Sequence, residues 1–320
     1  MITAKVLTDS KVGNIRLTTM VLRYPRFIHS EFMTHRVFSR NAASSRAIPI
    51  KKMIEQVEKD PAQPVFWGKN QPGMQAKEEL DPVRKERAIL YWGAAAYAMV
   101  NHAHMLDSLG VHKQIVNRLL EPWQYMETLV TSTDWANFYA LRDHPDAQPE
   151  IQTLARAMLE AHQASTPTEL KLGDWHLPFI TPDDRATAKA FVANYFSSMW
   201  SDGPVSPTVT APHASVPMLM GIAGRYGMVD ADAVVLAAMS AARCARVSYK
   251  KHDNTPPSIE DDLDLFLRLM GGSPKHASPT EHQACNMAFP NRMDSNLRGV
   301  AQFRKMIEGE RITEYKGFES

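Results

Sequence analysis

From Arg84 to Leu109 the chain is alanine-rich and long, and Gly110 directly after it can serve as a C-cap. A chain committed to so long a helix must build much of its body by helix packing. Other segments follow suit. Val111 to Leu120 repeats apolar residues at helical spacing and stops before Pro122. Thr133 to Arg142 is a shorter helical candidate. Pro149 to His162 begins with proline at the position where a helix tolerates it best. Arg185 to Trp200 is helix-like, and Ala231 to Val247 is a second strong alanine-rich helix. Ser258-Ile259-Glu260-Asp261 has the form of a capping box ahead of LDLFLRLM, closed by Gly271-Gly272. One early stretch behaves differently. Ile15 to Phe27, IRLTTMVLRYPRF, is rich in β-favouring residues up to Pro25 and predicts a strand leading into a loop or helix start. Residues 28–46 carry too many short polar side chains to assign, and Pro61 to Gly73 reads as loop.

Composition narrows the function classes. A net charge of +1 gives no global field for DNA or an anionic membrane, so any phosphate must be held by a local basic cluster. No stretch approaches the length of a membrane-spanning helix. The first residues, MITAKVLTDSKVGNIRL, lack a signal peptide's apolar run, and the expected location is the cytoplasm. Cys244 and Cys285 are the only cysteines, with neither disulfide-framework nor zinc spacing. Nucleotide-binding loops, the G-x-S-x-G elbow and the H-E-x-x-H metal motif are all missing. His102 and His104 stand two apart in a predicted helix and so face different ways; no metal site is expected.

The densest polar segment is Thr34-His35-Arg36-Val37-Phe38-Ser39-Arg40-Asn41-Ala42-Ala43-Ser44-Ser45-Arg46. Its guanidinium forks and hydroxyls suit an anion cradle, and the same pattern fits a solvated loop. Two further groups of polar and charged residues stand out. Arg118-Leu119-Leu120-Glu121-Pro122 precedes Asn137-Phe138-Tyr139-Ala140-Leu141-Arg142, with Ala147-Gln148-Pro149-Glu150-Ile151 behind. Ala245-Arg246-Val247-Ser248-Tyr249 precedes His276-Ala277-Ser278-Pro279-Thr280-Glu281-His282.

These three groups resemble the signature blocks of the flavin-dependent thymidylate synthases. The resemblance implies an α+β fold, with helices packed on an antiparallel or mixed sheet. It implies FAD contacts at His35, Arg36, Val37, Asn41, Asn137, Ser248, His276, Ser278 and Glu281. It assigns Ser44, Ser45, Arg46, Arg118 and Arg142 to the nucleotide, with Ser44 and Arg142 closest to the chemistry and Arg118 reaching in from a neighbouring subunit. The implied reaction is reductive methylation of dUMP to dTMP, with methylenetetrahydrofolate giving the carbon and NADPH the electrons. A homotetramer is implied too.

Four positions depart from the family pattern. Thr34 replaces an arginine, Ala42 a glutamate, Ala47 a tyrosine, and Asp146 stands where a histidine is common. The change at Ala42 also admits dCMP, or formation of a hydroxymethylated base. A non-catalytic flavin- or nucleotide-binding protein is the remaining reading. The block order is the family's own order permuted, since the H-x-S-P-x-E-H block follows the His35 block here. One catalytic domain over 1–320 is therefore expected: a nucleotide block 1–160, an insertion or linker 163–228, and a flavin block 229–320. The proline-rich stretch Ser201 to Pro217 would bridge the original ends.

Overall fold

The computed structural model describes residues 1–199, 213–226, 230–247, 257–288 and 292–313. Ser248, Tyr249 and most of the stretch Ser201 to Pro217 lie outside them.

The first two strands, β1 (Thr3–Val12) and β2 (Ile15–Pro25), form an antiparallel hairpin turned at Gly13, whose φ of 59° favours glycine. A 3-10 turn at Arg26–Ile28 leads into α1 (His29–Met33) and β3 (Ser39–Ala42), which resolves the unassigned polar segment. Next come α2 (Ile50–Lys59), α3 (Pro82–Ser108) and α4 (Lys113–Val116). Asp81 caps α3 by accepting from the Arg84 backbone N–H, and Gly110 takes a φ of 75° just past its end. The helix expected over Val111 to Leu120 is only partly α. It tightens to 3-10 over Asn117–Trp123, with Pro122 inside, because proline cannot donate the next α bond.

Strand β4 (Tyr125–Ser132) was not read from the sequence. It is followed by α5 (Ala136–Arg142), α6 (Pro149–Ala164), β5 (Thr168–Glu169), β6 (Trp175–His176) and α7 (Pro182–Met199). The chain then forms α8 (Val216–Tyr226), α9 (Ala231–Arg246) and α10 (Ile259–Gly271), whose capping box at Ser258 and Asp261 is present in both directions. A 3-10 turn, Ser278–Glu281, precedes β7 (Ala284–Cys285), β8 (Met293–Asp294), β9 (Leu297–Arg298), β10 (Ala301–Gln302) and α11 (Phe303–Met306).

The fold is α+β. Its main sheet has the order β3-β4-β2-β1-β5, antiparallel except where β1 pairs with β5. Side chains alternate across it. One face carries Met20, Leu22, Tyr24, Met126 and Val130, which pack with Phe32, Phe38, Phe138, Ile151, Leu154 and Met158 from α1, the following loop, α5 and α6. The opposite face carries Ser10, Leu17, Thr19, Thr131, Ser39 and Asn41. The small sheet β10-β7-β6 covers it, with Ala284, Leu297 and Val300 against Leu17. Behind that lies a second core, built on α9 with α10, Trp175 and Phe303. Cys244 and Cys285 are buried and unpaired, and burial holds both thiols well above their usual range.

Candidate functional site

Three clusters gather most of the residues singled out in the sequence. The first joins α1 to α5. Arg142 ends α5, and its Nε donates to His35 Nε2 at 2.9 Å while Nη2 donates to Thr34 Oγ1 at 3.1 Å. His35 is wedged against Phe138, edge to face at 4.8 Å, and stacks near Phe38 at 5.8 Å. Burial and the neighbouring guanidinium of Arg142, then that of Arg40, push its pKa down to about 4. His35 is therefore neutral at pH 7, and Nδ1 carries its proton. Both groups holding Arg142 are uncharged, and among the described residues no carboxylate forms an ion pair with it. Its positive charge stays available to a ligand. Arg142 also borders a cleft of about 900 Å³, walled by Phe27, Phe66 and Trp92 with Glu31 and Asp146 alongside.

The second cluster centres on Glu121. Arg26 reaches that carboxylate at 3.0 Å, Arg118 at 2.9 Å and the Ser45 hydroxyl at 2.8 Å. Asn117, fully buried, fixes the loop by donating to the carbonyls of Ser45 and Ile48. Two guanidinium groups on one carboxylate leave net positive charge, which suits an anion. Ser44 is half-buried beside this cluster, and Arg46 is exposed.

The third joins β3 to the turn Ser278–Glu281. The turn Ser278–Glu281 packs against β3, so Ser278 and Glu281 approach the strand that carries Asn41. Asn296 Nδ2 donates to the Val37 carbonyl and to Ser39 Oγ, each at 2.9 Å. Gln302 Nε2 donates to the Glu281 carbonyl at 3.1 Å and Asn296 Oδ1 at 2.9 Å. Glu281 is paired with Arg304. Three buried polar atoms along this seam have no protein partner: Asn41 Nδ2, His282 Nε2 and Gln302 Oε1.

Other expected side chains stand apart from these contacts. Arg36, Val37, Asn137 and His276 are exposed, and Ser248 lies outside the described residues. Sequence reasoning missed Arg26, Asn296, Gln302 and Arg304, and gave Arg40 only a place among the guanidinium forks. It also gave Glu121 no role, although Glu121 stands inside a quoted motif. Only a charge directly after Pro25 could have pointed to Arg26; nothing local marks Asn296 or Gln302. Among the described residues no cluster of three metal-binding side chains exists, and no helix is long and apolar enough to cross a membrane.

Residues 11–168 match the family described as thymidylate synthase complementing protein. No curated protein counts as a match to the chain. Among solved structures, the chain is similar to the UMP/dUMP methylase PolB from Streptomyces cacaoi bound with 5-Br UMP. That likeness has 17% identity and a TM-score of 0.41, covering 51% of this chain and 88% of that one. Thymidylate Synthase X from Helicobacter pylori with FAD and dUMP is similar at 14% identity and TM-score 0.36, over 50% of this chain and 93% of that one.

Proposed function

The chain belongs, through residues 11–168, to the thymidylate synthase complementing protein family, and we propose that it converts dUMP to dTMP by reductive methylation. It is an FAD-dependent enzyme of pyrimidine nucleotide methylation by that membership; the base, the carbon donor methylenetetrahydrofolate and the reductant NADPH are the proposed details. The observation that carries the reading is the contact of Ser278–Glu281 with β3. It reunites Asn41 with Ser278 and Glu281, which are far apart in the chain.

The residues at that seam fit a flavin. Asn41 Nδ2 is an unused donor, Gln302 Oε1 an unused acceptor, and His282 Nε2 can be either, which suits a ring system with both edges. Asn41, Ser278 and Glu281 would hold it, with His35, Arg36, Val37, Asn137, Ser248 and His276 completing the proposed set. When bound, FAD supplies two-electron chemistry that the side chains lack. The nucleotide phosphate falls to Arg118, Ser44, Ser45 and Arg46, with Arg26 beside them. Arg142, its charge uncompensated, would stabilise negative charge developing on the pyrimidine ring. His35 keeps the guanidinium oriented and, being neutral, does not compete with it for an anion. A homotetramer in the cytoplasm completes the reading.

An absorbance spectrum of the purified protein with FAD is the first test, and flavin bands that survive desalting are expected. Incubation with dUMP, methylenetetrahydrofolate and NADPH should then give a product heavier by one methyl group. A second reading, dCMP as substrate or a hydroxymethylated product, is favoured by Ala42 in place of an acidic residue. The product mass obtained with dCMP decides between them. A colourless protein that takes up no FAD would overturn both.

A further inference from the structure

The polar face of the main sheet holds an unbroken row of hydrogen bonds that the proposed reaction does not use. Ser10 Oγ meets His176 Nδ1 at 2.9 Å, and His176 Nε2 meets Thr19 Oγ1 at 2.7 Å. Thr19 Oγ1 meets Thr131 Oγ1 at 2.6 Å, and Thr131 Oγ1 meets His282 Nδ1 at 2.8 Å. All five residues are buried, and His176, Thr19, Thr131 and His282 have no exposed surface. The row crosses β1, β2 and β4 and ends at His282 Nε2, which has no protein partner. At the other end Ser10 lines a cleft of about 750 Å³ with Thr8, Asp9 and Arg185.

Proton counting restricts such a row to two states. Each threonine hydroxyl has one proton and two partners, so it must give one bond and accept the other. In one state Ser10 donates to His176, whose Nε2–H donates to Thr19, then Thr19 to Thr131, and Thr131 to His282 Nδ1. His282 then carries its proton on Nε2. In the other state every bond is reversed, both rings carry the proton on Nδ1, and His282 Nε2 is a bare acceptor. The two imidazoles must share one tautomer. Each is neutral near pH 7, because burial pushes both pKa values down to about 3, with the Asp9 carboxylate opposing this at His176 and His176 itself adding to it at His282.

We infer that Ser10, His176, Thr19, Thr131 and His282 form a proton relay between the Ser10 cleft and the seam where Ser278–Glu281 meets β3. One proton enters on Ser10 Oγ from cleft water as Ser10 passes its own proton to His176 Nδ1. Each group hands on one proton in turn, and the proton on His282 Nε2 passes to a basic atom of the ligand at the seam, or to water there when no ligand is bound. One proton has then crossed, and reversal of the row resets it. A flavin exchanges protons whenever it gains or gives up an electron pair, so a buried flavin edge needs such a supply. That destination rests on the flavin reading above; the relay itself does not. His176, Thr19 and Thr131 are positioning and transfer residues, with His282 as the terminal group.

NMR of the full chain with ¹⁵N-labelled histidine tests this without flavin or substrate. His176 and His282 are expected to be neutral at pH 7 and to show the same tautomer; opposite tautomers, or a cationic ring, would overturn the relay. Solvent deuterium exchange at the His282 ring N–H provides the second readout. Thr131→Val is expected to slow it about tenfold or more, since exchange must then wait for local opening, and Thr131→Ser to restore it. A purely structural role gives the opposite sign, because loosened packing speeds exchange; a valine variant exchanging at or above the wild-type rate refutes the proposal. Should Thr131→Val not fold, Thr19→Val carries the same expectation for His282. FAD uptake, read by absorbance, distinguishes the two proposals: exchange can follow the relay pattern in a protein that binds no flavin, and flavin can bind where the relay fails.

Discussion

The two faces of the main sheet are held by different physics. The face toward α5 and α6 is apolar and aromatic: Met20, Leu22, Tyr24 and Val130 meet Phe32, Phe38 and Phe138, and burial of area drives the packing. The face toward the small sheet is lined by hydroxyls and imidazoles, whose stability depends on each donor finding its acceptor. An apolar face tolerates a change of shape at constant volume. A polar face is sensitive to a single lost atom, because the abandoned partner stays buried. The faces also divide the proposed labour. The aromatic side fixes His35 and through it Arg142, while the polar side receives the turn Ser278–Glu281.

The largest effect expected is on the aromatic face. Phe138→Ala removes a ring that touches Phe32, Phe38 and His35, and should cost about 3–5 kcal/mol in urea unfolding. A cost below that of a conservative swap would remove the distinction between the faces. Acid should then expose the polar side. The unfolded chain protonates His176 and His282 near pH 6.5, whereas the folded chain does so only near 3. The unfolded state therefore binds more protons in between, and stability falls as pH drops through that window. For these two rings the loss is roughly 4 kcal/mol between pH 7 and pH 5. Denaturation curves at the two pH values check it, and a flat profile would mean that the rings are charged or exposed.

Arg142→Ala should lower turnover of the pyrimidine nucleotide about 10²–10³-fold, as loss of a charge aimed at a developing anion does. Its urea midpoint should move little, since the guanidinium is only half-buried. Thr131→Val leaves Thr19 and His282 each short of a partner and should cost about 1–3 kcal/mol, with Thr131→Ser recovering most of it. Met20→Leu, opposite it on the apolar face, should cost less than about 1.5 kcal/mol despite equal burial. If the two substitutions cost the same, the comparison fails.

Much of the helical frame was legible in advance because its signals are local. The proline start of α6, the glycine after α3 and the capping box of α10 each lie within a few residues of the end they mark. The short strands were not. The pairs β6, β7 and β10 have two residues each, too few for any alternation to show, and exist because a distant strand offers hydrogen bonds. β4 was missed for another reason. It is buried on both faces, so Tyr125–Ser132 reads as apolar and threonine-rich without a clear period. In the site, arginines and histidines stood out by type. Their partners did not, since Glu121, Asn296 and Gln302 are ordinary polar residues until the fold brings them to Ser45, Ser39 and Glu281.

By itself the sequence determined which side chains could do chemistry, where most helices start and stop, and which family residues 11–168 match. All of that is encoded in short runs of residue type. Only the tertiary structure decided that His35 is neutral and braces Arg142, that Arg26 and Arg118 share Glu121, and that the block at Ser278–Glu281 seats on β3. Protonation and pairing depend on burial and on neighbours more than a hundred residues away, such as Arg142 for His35 and His282 for Thr131. No local pattern carries that distance; only the packed sheet does.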